Sequence, residues 1–341
     1  MSRRYLFYVS LNYAYEILRP LQEVILRRGD HCAWFLESKK IDEKYLREGE
    51  HRLHSIDEVK AYKPDAVFVP GNMVPNFIPG IKVQVFHGLE WKKKGHFRIR
   101  GFFDLYCTHG PITTDRFEQL AKEHRYFRVV ETGWPKLDPL FQVDPYPVAK
   151  ERSIILYAPT FSPSLCSAID LFPEIQRLVK TRDWYWLVKF HPKMNPEWIQ
   201  MYQQLSCDNF EVVETDSALP VLRAGDVLVS DTSSIIGEYF LQGRPVVTYK
   251  NSAPGGDLID INDPALLEPS IERALEPNGV LKQAIVDSCN MMHPYRDGLS
   301  SERVLQATDD MIDQGLKGLR PKPLNLWRSL RIRKRLNYWK I

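Results

Sequence analysis

Short apolar runs alternate with helical segments along this sequence, and the series occurs twice. The runs lie at residues 4–10, 32–38, 65–71, 82–88, 104–110 and 126–133, and again at 153–160, 184–192, 210–214, 226–231 and 245–250. Segments with the 3.6-residue spacing of helices stand between many of them. Two successive strand–helix series predict two α/β domains, each built on a parallel sheet wrapped by helices.

The segment 133–147 separates the two series. It contains four prolines in 15 residues and has no helical period, which is typical of a linker. We therefore predict a first domain over residues 1–145, a second over 146–318 and a distinct tail over 319–341. Parallel sheets of this kind bind ligands beyond the carboxyl ends of their strands, so we expect a site in a cleft between the domains.

The composition excludes several classes of protein. Apolar residues make up 44% of the chain and aromatic residues 12%, which fits neither disorder nor a fibrous repeat. No run of about 18 apolar residues predicts a membrane-spanning helix. The first 16 residues lack a signal-peptide cleavage site, and we expect a buried strand there. Five scattered cysteines without a C-x-x-C pair favour a reducing, cytoplasmic environment.

Positive charge is concentrated at the end of the chain. Residues 320–341 contain eight lysines and arginines and no acid, so the rest of the chain has a small net negative charge. Aromatic and basic side chains interleave there, which favours an amphipathic anchor on an anionic membrane surface. Alternatives are RNA binding, although no RNA-binding module accompanies it, and a helix packed on the first domain. The candidate membrane residues are Trp327, Arg328, Arg331, Arg333, Lys334 and Arg335.

The segment 225–249 joins an apolar strand to a helix through a turn of small polar residues. Asp231 ends the strand, and Thr232, Ser233 and Ser234 form the turn. The first N–H groups of a helix lack partners within it and carry partial positive charge, so they bind phosphate readily. We predict a phosphate or diphosphate site at this turn. The alternative is an ordinary helix cap.

A lysine and a histidine share one face of the strand end at 189–194. Lys189 and His191 alternate along the strand, and Pro192 stops it directly afterwards. Such a pair can neutralise a diphosphate and stabilise its leaving oxygen. Thr160, at another strand end, is a weaker candidate for the same phosphate. Glu238, one helical turn beyond the serine turn, is a candidate ligand of a ribose. The alternatives are a structural histidine and a solvated helix acid.

The first half of the chain contains a matching histidine. His87 stands at the carboxyl end of an apolar run and is followed by Gly88, which permits close approach of a ligand. An imidazole at this position is a candidate general base for an acceptor hydroxyl. A basic cluster follows, which could hold an anionic acceptor or form a solvated loop; it comprises Lys92, Lys93, Lys94, Arg98 and Arg100. No carboxylate cluster has the spacing of metal ligands, and we expect neither metal nor cofactor.

These motifs together resemble the CDP-glycerol glycerophosphotransferase family, which includes the teichoic-acid primases and polymerases. The resemblance rests on the order of HG, G-x-P-x-x-D, LYAPTF, K-x-HP, SDTSS and DGLSSER between Gln84 and Arg303. It implies a GT-B architecture of two Rossmann-like domains, the first binding the acceptor and the second the nucleotide donor. It also implies transfer of an alditol phosphate from a CDP-alditol to a lipid-linked or glycan hydroxyl, with release of CMP, in cell-surface polymer or capsule synthesis.

The resemblance assigns roles to particular residues. It makes His87 the general base and His191 a group that stabilises the donor pyrophosphate, and it places the family's serine-rich loop at 231–234. The linker motif falls on Gly133, Pro135 and Asp138. The sequence departs from the family where Thr232 replaces a tyrosine and where residues 89–91 follow the HG pair, and these departures concern the identity of the alditol and the base.

From the basic tail we predict a peripheral protein on the inner face of the plasma membrane, with no nucleic-acid partner. Three other functions share parts of the pattern. A GT-B glycosyltransferase with a nucleotide-sugar donor would use the same scaffold, and a sugar-nucleotide 2-epimerase would need no acceptor. A non-catalytic glycan- or lipid-binding protein would not depend on His87 or His191.

Overall fold

The structure is a computed structural model that describes residues 2–89, 95–148, 152–205, 207–215 and 217–340. Its contacts divide the chain into two compact units. Unit 1 comprises Met1–Asp138 together with Met291–Ile341, and unit 2 comprises Pro139–Asn290. Each unit is built around its own parallel sheet, as the sequence predicted.

The strands and helices follow one another in the expected alternation. The strands are β1 (Arg4–Val9), β2 (His31–Leu36), β3 (Arg52–Leu53), β4 (Ala66–Val69), β5 (Ile81–Gln84), β6 (Leu105–Thr108), β7 (Arg128–Glu131), β8 (Ser153–Tyr157), β9 (Trp184–Val188), β10 (Phe210–Val212), β11 (Val227–Ser230), β12 (Val246–Tyr249) and β13 (Ile259–Ile261). The helices are α1 (Ala14–Arg27), α2 (Ile56–Tyr62), α3 (Pro111–His124), α4 (Asp138–Gln142), α5 (Ala168–Thr181), α6 (Pro196–Gln203), α7 (Leu219–Ala224), α8 (Ile235–Phe240), α9 (Leu267–Leu275), α10 (Gly279–Met292), α11 (Ser300–Gln314) and α12 (Leu326–Leu336).

Unit 1 contains a seven-stranded sheet in the order β3-β2-β1-β4-β5-β6-β7, and every strand pairing in it is parallel. The interior strand β1 is buried along five of its six residues, because helices cover both faces of the sheet. That burial explains why strands such as this one appear in the sequence as continuous apolar runs without alternation. The carboxyl ends of β4, β5 and β6 lie side by side at one edge.

Residues 291–318 belong to unit 1 by their contacts, which differs from the division expected from the sequence. Helix α11 packs against α1 and against strands β5 and β6. The buried carboxylate of Asp138 accepts hydrogen bonds from the N–H groups of Ser300 and Ser301, at 2.8 and 2.7 Å. It therefore satisfies two donors at the start of α11, where a helix has no partners of its own. A repeating strand–helix pattern does not show which sheet the last helices cover.

The linker glycine has a related role within unit 1. Gly133 has a φ of +81°, and a Cβ atom there would lie 2.4 Å from Ser300 Oγ and 2.9 Å from His293 Nε2. Only glycine fits both the backbone conformation and the space. The Gly133–Asp138 motif thus joins the end of β7 to the start of α11.

The end of the basic tail packs on unit 1 through one face of α12. Ile332 is 2% exposed and lies in the hydrophobic core cluster of this unit together with Tyr338. Arg335 forms an ion pair of 2.5 Å with the buried carboxylate of Glu37. Another face remains exposed and carries Trp327, which is 82% exposed, and Leu330. The helix is therefore both a docked element of the fold and an amphipathic surface.

Unit 2 contains a six-stranded parallel sheet in the order β10-β9-β8-β11-β12-β13. The three central strands β9, β8 and β11 are neighbours, so the segments that follow them meet at one edge. Those segments contain the donor-binding residues that were predicted from the second half of the sequence. No helix in the described part of the chain is long and apolar enough to cross a membrane.

Candidate active site

The carboxyl edge of the unit 2 sheet collects the predicted donor residues. Thr160 follows β8, His191 follows β9, and Asp231 and the serine turn follow β11. Because these three strands are adjacent, residues separated by as many as 71 positions in the sequence come into contact there. The sheet order thus explains how motifs that are separate in the sequence come together at one edge.

Asp231 links two segments of this edge through its side-chain hydrogen bonds. Its carboxylate is completely buried and accepts hydrogen bonds from the N–H of Thr160 at 2.9 Å and from the N–H and hydroxyl of Ser167 at 3.0 and 2.9 Å. Burial raises the pKa of this carboxyl group, while these donors act in the opposite direction. A carboxylate enclosed in this way is not available to a ligand. Asp231 instead fixes the loop that carries Thr160.

The turn after Asp231 leaves polar groups at the surface. Thr232 and Ser233 are half-buried and Ser234 is exposed. The Thr232 hydroxyl accepts a hydrogen bond of 3.0 Å from the N–H of Ser252. Helix α8, which follows, is only six residues long. A helix this short has a weaker dipole than a longer one, so the hydroxyl and N–H groups of the turn are the stronger candidates for binding a phosphate. Glu238 is half-buried on α8.

The hydrogen bonds of His191 determine its tautomer. Its Nδ1 atom accepts a hydrogen bond of 3.0 Å from the backbone N–H of Lys193. A neutral imidazole that accepts at Nδ1 carries its proton on Nε2, so the ring presents a donor to solvent. Burial, Lys193 and Lys189 lower the pKa of the imidazole, which favours this neutral form. Phe161 stacks on the ring with centroids 4.3 Å apart and fixes its orientation.

A pocket of about 590 Å³ opens beside His191 at the ends of β9 and β10. Its lining combines an apolar wall with Lys189, Glu214 and Thr215. The Lys189 ammonium group donates a hydrogen bond of 2.6 Å to the Thr215 carbonyl, which holds the side chain along the pocket. A pocket of this size and mixed lining is typical of a small-molecule site.

His87 in unit 1 has the opposite tautomer. Its Nδ1 atom lies 3.2 Å from the carbonyl oxygen of Pro70, which follows strand β4. A carbonyl oxygen can only accept, so Nδ1 carries a proton, and in the neutral ring Nε2 keeps its lone pair. The ring is exposed and stacks on Tyr13, with centroids 5.4 Å apart. This arrangement gives the imidazole the form that a general base requires.

The residue before His87 is held in an unfavourable backbone conformation. Phe86 has a φ of +56°, although it is a bulky residue that is 5% exposed. Such outliers persist where the surrounding structure imposes them, often at functional sites. Its ring stacks on His96 and meets His109 edge-on, at 5.4 and 5.3 Å between centroids. His109 was not among the predicted site residues, yet it carries the same signal as His87, an HG pair at a strand end.

Two members of the predicted basic cluster line a second, smaller pocket in unit 1. Arg98 and Arg100 share it with His96 and the buried side chain of Gln84. Burial and the neighbouring Arg98 lower the pKa of the Arg100 guanidinium group, and Arg328 acts in the same direction. Arg98 and Arg328 thus both lie close enough to Arg100 to disfavour its charged form, an effect that a bound anion would offset. The other predicted members, Lys92, Lys93 and Lys94, lie outside the described residues.

The two units, each with its site residues at the carboxyl edge of a parallel sheet, define the class of the protein as GT-B type. A solved UDP-N-acetylglucosamine 2-epimerase superposes with a TM-score of 0.61 at 14% identity, covering 95% of this chain and 100% of its own. The wall teichoic acid polymerase TagF superposes with a TM-score of 0.59 at 13% identity, covering 92% and 90%. The predicted fold class is confirmed.

Sequence matches are more specific. A model of the family described as CDP-glycerol:poly(glycerophosphate) glycerophosphotransferase matches residues 100–253, somewhat less than half of the chain. The teichoic acid glycerol-phosphate primase of Bacillus subtilis is 29% identical over 163 residues, 44% of this chain and 42% of the relative. The ribitol-phosphate polymerase TarL of Staphylococcus aureus is 27% identical over 210 residues, 52% of this chain and 36% of the relative.

These matches confirm the predicted resemblance to the CDP-glycerol glycerophosphotransferase family. The matched regions span about two fifths of the length of these curated relatives. The family model begins at residue 100, so it includes His191 and the serine turn but not His87. The family match therefore includes His191, whereas the role expected of His87 rests on its sequence motif and its geometry.

Proposed function

We propose that this protein transfers glycerol phosphate, or a related alditol phosphate, from a CDP-alditol donor to a hydroxyl group of a lipid-linked or glycan acceptor. CMP is the other product. The family match supports this reaction class, and so does a TagF variant solved after soaking with CDPG, which superposes with a TM-score of 0.59 at 14% identity and covers 92% of this chain and 89% of its own. The setting that we propose is synthesis of a cell-surface polymer or capsule.

The observation that carries the proposal is the pair of opposite tautomers at the two histidines. His87 keeps a lone pair on Nε2 because the Pro70 carbonyl engages Nδ1. His191 keeps a proton on Nε2 because the Lys193 N–H engages Nδ1. One imidazole is thus set to accept a proton and the other to donate a hydrogen bond. Phosphoryl transfer to a hydroxyl needs both functions.

In the proposed step, His87 accepts the proton of the acceptor hydroxyl through Nε2. The hydroxyl oxygen attacks the phosphorus that carries the alditol and forms a new P–O bond. The bond from that phosphorus to the bridging oxygen breaks, and its electron pair leaves on the phosphate of CMP. The His191 N–H stabilises this developing charge, together with Lys189 and the turn formed by Ser233 and Ser234.

The nucleoside of the donor would occupy the pocket beside His191. Its volume of about 590 Å³ suits a group of this size, and it opens directly next to the proposed diphosphate ligands. Glu214 and Thr215 provide polar groups in its lining. The site would therefore accept the nucleoside and both phosphates within one unit.

The acceptor would be bound by unit 1. Arg98 and Arg100 offer positive charge to an anionic acceptor on the same sheet edge as His87. A phosphate on the acceptor would offset the repulsion of Arg100 by Arg98 and Arg328. Lys92, Lys93 and Lys94 remain proposed members of the same acceptor-binding cluster on the basis of the sequence.

The exposed face of α12 would place the enzyme on the inner face of the plasma membrane. Trp327 and Leu330 lie three residues apart, and Arg331 and Lys334 continue the same stripe. All four side chains are exposed. Apolar side chains next to basic groups suit an anionic lipid surface, and no nucleic-acid partner is proposed.

We expect the double substitution Arg331→Gln and Lys334→Gln to weaken binding to vesicles that contain an anionic lipid by about 30-fold. Each basic residue near such a surface contributes about 1 kcal/mol, and about 2 kcal/mol corresponds to that factor. Vesicle sedimentation measures the partition coefficient. The matched control removes two charges elsewhere in unit 1, with Lys122→Gln and Lys317→Gln, and should have little effect.

Equal losses in both double variants would show that net charge alone drives binding, which contradicts an oriented surface. A deletion of the whole tail is a poorer test. Ile332 and Tyr338 belong to the core of unit 1, so their removal would damage the fold.

The function is tested by product analysis with CDP-glycerol, CDP-ribitol and several UDP- and GDP-sugars, each with a hydroxyl acceptor. We expect release of CMP together with a phosphodiester product that ³¹P NMR detects. Release of a nucleoside diphosphate with a glycosidic product would replace the proposal with a glycosyltransferase. Conversion of a UDP-sugar without acceptor would indicate an epimerase.

A further inference from the structure

A buried histidine lies behind the turn that presents His87. His109 follows strand β6, is 2% exposed and lies at the carboxyl edge of the strand next to β5. The carbonyl of Val85 is a hydrogen-bond acceptor for its ring. The Nε2 atom of His109 has no hydrogen-bond partner among the described residues, so Nδ1 is the atom that donates.

The turn that His109 contacts is held from both sides. The N–H of Val85 donates a hydrogen bond of 3.1 Å to Val69 at the end of β4. One residue later, Phe86 adopts its positive φ with its ring edge-on to His109. The next residue, His87, lies 3.2 Å through Nδ1 from Pro70. Strand ends on either side of β5 thus fix three consecutive residues.

We propose that His109 is a positioning residue, which holds the Val85–His87 turn so that His87 presents the Nε2 lone pair. The inference rests on the proposed function of His87 as general base. His109 does not itself reach the substrate, because its side chain is enclosed by Phe86 and Trp134. It acts through the backbone of Val85.

Charge is not the means by which His109 acts. Burial and the nearby rings of His293 and His96 lower its pKa well below the usual range, so the ring is neutral at physiological pH. Its contribution is one directed N–H group at a fixed position. A side chain with an N–H group in the same place can therefore replace it.

The test compares His109→Asn with His109→Gln. The asparagine amide nitrogen stands close to the position of Nδ1, and the glutamine amide nitrogen closer to that of Nε2. We expect His109→Gln to lower kcat by about 10–100-fold with donor KM unchanged, since small misplacement of a catalytic group has effects of this size. His109→Asn should retain most of the rate. In a His87→Ala background, His109→Gln should cause no further loss.

A second readout does not require activity. The ¹⁵N shifts of the His87 ring report its tautomer, and they should change in His109→Gln and remain close to the wild type in His109→Asn. Phe127→Leu is the control, because it disturbs the core of the same unit without contacting the turn. Its melting temperature should fall while the His87 shifts stay constant.

Unchanged His87 shifts and an unchanged kcat in His109→Gln would overturn the proposal, as would equal losses in both polar variants. If His87→Ala retained the wild-type rate, the proposed function would fail instead, and the ¹⁵N shifts would still decide whether His109 orients the ring. If His109→Gln did not fold, the same shifts in His109→Ala would serve, with restoration by His109→Asn as the expected result.

Discussion

Replacement of His87 by alanine is expected to lower kcat by about 10²–10⁴-fold, the range typical of a lost general base. The donor should bind almost as before, because its proposed ligands are all in unit 2. The rate should fall because the Pro70 carbonyl sets the tautomer of His87, in which Nε2 can accept the hydroxyl proton. Initial rates with CDP-glycerol and a hydroxyl acceptor, with donor affinity from calorimetry, measure both quantities.

His54→Ala is the matched control for this experiment. His54 is an exposed histidine of the same unit, near the start of α2 and remote in sequence from the sheet edge that carries His87. Its replacement should leave kcat unchanged. A His87→Ala enzyme with the wild-type rate would remove the general base from the account, and equal losses in both variants would indicate damage to the fold.

Replacement of His191 by alanine is expected to lower kcat by about 10²–10³-fold, the loss that follows removal of one preorganised donor from a developing charge. The phosphate of CMP gains negative charge as it leaves, and the Nε2–H of His191 is proposed to stabilise it. Ground-state binding of the donor should weaken less than the rate, because this charge is largest in the transition state. Pre-steady-state measurement of CMP release separates the two effects.

Lys193→Ala provides the comparison for His191. The backbone N–H of Lys193, which sets the His191 tautomer, is kept in that variant, whereas the ammonium group is lost. We expect a loss of no more than about tenfold there, as for an exposed charge. A larger loss in Lys193→Ala than in His191→Ala would assign the leaving-group role to the lysine.

The sequence predicted most of the strands because their burial on both faces requires continuous apolar runs. The shortest strands were not predicted. Strand β3 has two residues and β13 has three, and neither is long enough to show a period. Helix α12 was expected as a membrane anchor, and its docked face depends on Ile332 and Tyr338 meeting a core that no local pattern reveals.

The sequence also located the groups that carry charge at the strand ends, but not what each one contacts. Asp231 was expected at the donor phosphate, whereas the structure buries it under Thr160 and Ser167. The tautomers of His87 and His191 depend on backbone groups at Pro70 and Lys193, which only the folded chain brings into position. His109 was missed because its partner is a backbone carbonyl 24 residues earlier.

The central claim is that unit 2 binds the donor diphosphate at the carboxyl ends of β8, β9 and β11. A crystal structure with CDP-glycerol bound tests it most directly. We expect phosphate oxygens within hydrogen-bond distance of His191 Nε2 and of the N–H or hydroxyl groups of Ser233 and Ser234. A nucleotide bound away from this edge, with neither the histidine nor the serine turn in contact, would contradict it.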